Sequence, residues 1–74
     1  KEVHIMNIVF WGRYSDKDGN IYKLVGEGTY FKEKNKKMYV LAPMSGCMLN
    51  DNGVIFINEN DFSVEKGFKF LSNF

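Results

Sequence analysis

Asp16-Lys17-Asp18-Gly19-Asn20-Ile21-Tyr22-Lys23-Leu24-Val25-Gly26-Glu27-Gly28 is the stretch whose reading decides the fold. It opens with turn chemistry. Asp-Gly favours a reversal because glycine takes positive φ without a Cβ penalty and aspartate bonds nearby backbone N–H groups. Ile21 to Val25 then alternates, with Tyr22 and Leu24 on one face and Ile21, Lys23 and Val25 on the other. Period-two patterning of this kind marks a strand. Gly26 and Gly28 flank Glu27 and predict a bulge or sharp bend. If Tyr14 and Ile21 lie near the ends of paired strands, the stretch is a hairpin with a long loop.

Upstream, residues 1–11 predict a first strand. Val3, Ile5, Asn7, Val9 and Trp11 share one face, and His4, Met6, Ile8 and Phe10 the other. Both faces are largely apolar, so this strand is expected to be covered twice, by the protein's own core and by a second layer or subunit. Residues 12–20 read as a connection. Downstream, short strands are predicted at 29–32, 38–42 and 54–57, with alternation again at 62–65 and 68–70. A 3-10 turn near 61–64 is the alternative there. The charged run at 33–37 reads as a hairpin tip. Pro43 lacks an N–H and is expected to stop the fourth strand. The apolar segment 44–49 can add a strand that pairs forward through the Asn50 to Gly53 turn. No long helix is predicted. The fold class is therefore all-β: a small barrel or a strongly curved antiparallel sheet of five to six strands in one domain.

The run Gly19-Asn20-Ile21-Tyr22-Lys23-Leu24-Val25-Gly26, with Tyr39-Val40 and Asp61-Phe62 further on, resembles small bacterial and phage SH3-like β-barrels. Those barrels carry a Gly-x-x-Tyr-x-Val-x-Gly pattern and a late aromatic beside an acid. Leu24 departs from that pattern. The resemblance implies a binding module rather than an enzyme and carries no ligand residues with it.

Composition narrows the function. A chain of 74 residues hides only roughly 60% of its unfolded surface, so its core is thin. Aromatic mass, 16% of the residues, and association with other chains are the routes to stability that remain. One cysteine, Cys47, cannot form an internal disulfide, and with His4 alone it cannot complete a four-ligand zinc site. No metal or cofactor is expected. The lone thiol suits a reducing, cytoplasmic compartment, and no apolar run is long enough to span a bilayer. A net charge of +1 argues against a general nucleic-acid binder. Nine lysines against one arginine, with abundant Asn, Ile and Phe, point to an AT-rich genome, such as that of a low-GC bacterium or its phage.

Chemical motifs thin out on testing. Gly26-Glu27-Gly28 lacks the third glycine and following helix of a phosphate loop. A calcium loop over residues 14–25 would have Tyr14 and Val25 where its two end carboxylates belong, and one ending at Glu59 would have Met48 in first place, so both are read as hairpin turns. His4 and Cys47 have nothing in the sequence to bring them together, so no catalytic residue is assigned. The candidate ligand-binding residues are Trp11, Arg13, Tyr14, Tyr22 and Tyr30. Arg13 offers a planar fork for phosphate or carboxylate, and its neighbours offer rings for stacking. The structural alternative makes Trp11 and Tyr14 core or rim and Arg13 a surface charge. The expected function is a non-enzymatic, oligomeric binding protein that sequesters a nucleotide-like ligand or blocks a host protein. A single-stranded nucleic-acid-binding barrel is the alternative.

Overall fold

The computed structural model describes residues 6–30, 36–45, 48–49 and 53–73. Six antiparallel strands form one sheet: β1 (Arg13–Ser15), β2 (Ile21–Tyr30), β3 (Lys36–Ser45), β4 (Met48–Leu49), β5 (Ile55–Asn58) and β6 (Lys69–Ser72). The order is β4-β3-β2-β1-β6, with β5 also paired to β3. The all-β expectation holds. Among the described residues no ladder joins β5 to β6, so the sheet is open and not closed into a barrel.

The hairpin at the centre of the sequence forms as predicted. Ser15 pairs with Ile21, leaving a five-residue loop. Asp16 organises that loop with its carboxylate, which accepts hydrogen bonds from the Asp18 and Asn20 backbone N–H groups, the Asn20 amide and the Tyr22 hydroxyl. The Asn20 amide above all, together with these other donors, holds the Asp16 pKa below the ordinary value of 3.8. A depressed carboxylate pKa contributes stability above its unfolded value, and that contribution is lost as pH falls through the folded value. Acid titration followed by circular dichroism should therefore show stability declining below about pH 4. Asp16→Asn should flatten that decline, and an unchanged profile would show that the loop carboxylate is not its source.

The elements differ from the sequence reading in five places. The first strand expected over residues 1–11 does not form in its described part, and residues 1–5 lie outside the described residues. The buried Tyr14 side chain takes the role of a ladder partner there. Its hydroxyl accepts from Val9 N–H at 2.8 Å and donates to the Asn7 carbonyl at 2.5 Å. Backbone groups satisfied by a side chain have no need of a neighbouring strand. The first strand is instead β1, inside the segment read as a connection.

The strands expected at 21–26 and 29–32 are one strand as far as Tyr30, and residues 31–32 lie outside the described residues. The predicted irregularity is a bulge, where Val25 is extra between the pairs Leu24↔Leu41 and Gly26↔Val40. Pro43 does not stop β3. It pairs with Tyr22 where the ladder to β5 has ended at Leu41 and that to β4 begins at Met44, so its missing N–H is tolerated. Met48–Leu49 pairs backward with β3 rather than forward with β5. The 3-10 turn falls at Val64–Lys66, slightly later than expected.

One face of the sheet carries the core. Tyr14, Leu24 and Leu41 have no exposed surface, and Met6, Tyr39, Phe62 and Phe68 complete the cluster. Leu24 and Leu41 are direct cross-strand partners. Phe62 lies over them from the segment after β5, with ring centroids 5.0 Å from Tyr14, 5.1 Å from Phe68 and 5.2 Å from Tyr39. Tilted and edge-on aromatic pairs at this spacing add to the area they bury.

Candidate functional site

Two surface features stand outside this core. The first is the turn at residues 9–12. Gly12 N–H donates to the Val9 carbonyl at 3.0 Å, and Trp11 occupies the third position with φ of 69°. A positive φ there defines a type II arrangement, which glycine or asparagine normally fills. A tryptophan in that conformation costs about 1–2 kcal/mol. Its backbone is pinned at both sides: Trp11 N–H donates to the Leu24 carbonyl, and Leu24 N–H donates to the Gly12 carbonyl. Gly12 lies so close to Val9, Phe70 and Ser72 that a Cβ would sit 2.9 Å from the Val9 oxygen. The surroundings thus hold the strained residue in place. What they display is aromatic: Phe10 is 43% exposed and Trp11 51% exposed.

The second feature is the outer face of the sheet, opposite the core. Alternation puts Arg13 and Ser15 of β1 there, since Tyr14 points inward. Arg13 pairs with Lys23 across the strands, Lys23 with Ala42, and Ser15 with Lys69. Beyond Ala42 the face turns apolar. A shallow groove of 240 Å³ runs along Glu27, Gly28, Thr29, Met38, Val40 and Phe56, and Phe56 is 68% exposed. The face is therefore cationic at its β1 side and apolar at its β5 side.

The predicted site residues separate on this frame. Trp11 is displayed on the turn. Arg13 is half-buried on the outer face. Tyr14 is core, with its hydroxyl already engaged twice, so no ligand can stack on it. Burial first of all raises the Tyr14 pKa above 10.0. Tyr22 packs against the core and gives its hydroxyl to Asp16, and burial foremost raises its pKa as well. Tyr30 ends β2 opposite Lys36. Arg13 thus lies on the face of the sheet opposite Tyr14 and Tyr22. Sequence reasoning missed Lys23 and Lys69, whose place beside Arg13 follows from strand register alone, and Phe56.

Other candidates drop away. Lys37 is engaged by Glu27 at 2.9 Å and lies 5.4 Å from the Tyr39 ring centre, and the Glu27 contact chiefly raises its pKa. Its charge is thus already matched. His4 and Cys47 lie outside the described residues, as do residues 33–35 of the charged tip. Among the described residues no three His, Cys, Asp or Glu side chains come together to hold a metal ion, and no helix is long and apolar enough to cross a membrane. Comparison with protein-family models, curated proteins and solved structures finds no match for this chain.

Proposed function

We propose that the protein is a non-enzymatic binding module that assembles with copies of itself, using the aromatic turn at residues 9–12 as its contact. The observation that carries this reading is Trp11, held in a strained left-handed conformation and half-exposed beside Phe10. Strain retained at an exposed position favours a role outside the fold's own stability. Single exposed apolar residues need no explanation, whereas adjacent exposed aromatics are what interfaces bury. The thin core of so short a chain works in the same direction, because association adds the burial it lacks.

Trp11 is the chain's only tryptophan, so its emission reports on this contact directly. Sedimentation equilibrium from low micromolar to millimolar concentration should show a dimer or larger species forming, with a blue shift of tryptophan emission in step. Trp11→Gly should keep the fold, gain up to about 1 kcal/mol by removing the strain, and sediment as a monomer. A wild-type protein that stays monomeric with constant emission over that range overturns the reading.

A further inference from the structure

We propose that the outer face of β1, β2 and β6 is a phosphate-binding site centred on Arg13, with Lys23 and Lys69 beside it. The site takes a small molecule bearing a phosphoryl group. Three observations carry the proposal, and none of them involves the aromatic turn's own exposure.

The first is a like-charge pair. Arg13 and Lys23 are direct cross-strand partners, so their side chains leave the same face at neighbouring positions. Direct opposition of two cations is unfavourable in a sheet unless something neutralises them. The second is the lack of a counter-charge beside Arg13 among the described residues. Around Arg13 the outer face carries Ser15, Ile21, Lys23, Val25 and Lys69, and the one acid of β2, Glu27, lies farther along the strand and is engaged by Lys37. Two ion pairs of the sheet and the 3-10 turn, Lys37 with Glu27 and Lys66 with Asp61, lie away from Arg13. The third is an orphan donor. Arg13 Nε is buried and has no hydrogen-bond acceptor, the one such side-chain nitrogen or oxygen among the described residues. Buried donors are nearly always paired, and an unpaired one calls for an explanation.

An oxyanion docked on the guanidinium answers all three once the Arg13 side chain rotates to bring Nε, which has no exposed surface as it stands, to the outside. It accepts from Nε and a terminal nitrogen in the bidentate manner that suits this planar fork, and it screens Arg13 from Lys23. Lys69 stands opposite Ser15, two residues along from Arg13, within the diagonal reach of a long side chain. Three cations at neighbouring positions of one face favour a doubly charged phosphoryl group over a singly charged carboxylate.

Arg13 is the only arginine, so its Nε–H gives a single, unambiguous signal in a nitrogen-edited proton spectrum. Titration with inorganic phosphate and with a nucleoside monophosphate, in low-salt buffer, should shift that signal saturably. Sodium chloride at matched ionic strength should not. Arg13→Lys keeps the charge and loses the fork, and should weaken binding about tenfold, as should Lys23→Gln by about threefold. Trp11→Gly should leave the shift intact, so failure of self-association and failure of this site are distinguishable. An Nε–H signal that ignores phosphate, or responds equally to chloride, overturns the proposal. A response to oligothymidylate but to neither small phosphate also overturns it, in favour of single-stranded nucleic acid.

Discussion

Phe62→Ala removes a large share of the protein's stability. Phe62 is 2% exposed and its ring meets three other aromatic rings, those of Tyr14, Tyr39 and Phe68. Truncating a buried phenylalanine costs about 3–5 kcal/mol, because the lost transfer energy is joined by the cavity left behind. A domain of this length holds roughly 4–11 kcal/mol in all, at the usual stability per residue. Phe62 also covers the sheet from a segment with no strand pairing of its own, so no backbone ladder compensates. Urea denaturation should therefore show at least about a quarter of the unfolding free energy gone, with the melting temperature lower by more than about 12 °C. Phe62→Leu, which keeps much of the volume, should cost about 1–2 kcal/mol. A loss below about 1 kcal/mol for Phe62→Ala would mean that the core is centred elsewhere.

The aromatic core and the central hairpin show where sequence is sufficient. Asp16, Gly19 and Asn20 act on their own neighbours, and the hydrogen bonds they make span at most six residues. Local chemistry of that kind is legible in local sequence. The bulge was legible for the same reason, since Gly26 marks it. The apolar opening run was not. Its described residues owe their course to the hydroxyl of Tyr14, five and seven residues away, and to a turn with tryptophan where propensity expects glycine. Periodicity reports which side chains are apolar, and says nothing of which backbone groups a side chain will satisfy. The phosphate site fails to show in sequence for a related reason. Arg13, Lys23 and Lys69 are far apart in the chain, and only the register of three strands puts them on one face. Slipping either ladder by one residue would send a cation to the core side.

Gly67→Ala should be the most damaging small substitution outside the core, and it tests how the covering segment is anchored. Gly67 closes the 3-10 turn at Val64–Lys66 with φ of 99°, and its N–H donates to the Val64 carbonyl. A Cβ there would lie 2.7 Å from the Lys17 Cβ and 3.4 Å from the Lys17 Cα, in the loop of the β1–β2 hairpin. Neither atom is the free end of a flexible chain, so the two loops must part. Left-handed strain costs about 1–2 kcal/mol, and forced overpacking typically adds about 1–3 kcal/mol. Gly19 separates the two effects. Its φ is 86°, yet nothing lies within 4 Å of an added Cβ. Gly19→Ala should show the strain alone, about 1–2 kcal/mol, and Gly67→Ala about 2–5 kcal/mol. Urea denaturation of the two variants side by side measures the difference. Equal losses would show that the close approach of Gly67 to Lys17 does not hold the segment carrying Phe62 and Phe68 on the sheet. A larger loss at Gly67 ties the hairpin loop, the aromatic cover and the strand bearing Arg13 into one cooperative unit, in which loosening the cover also blurs the register that gathers the three cations.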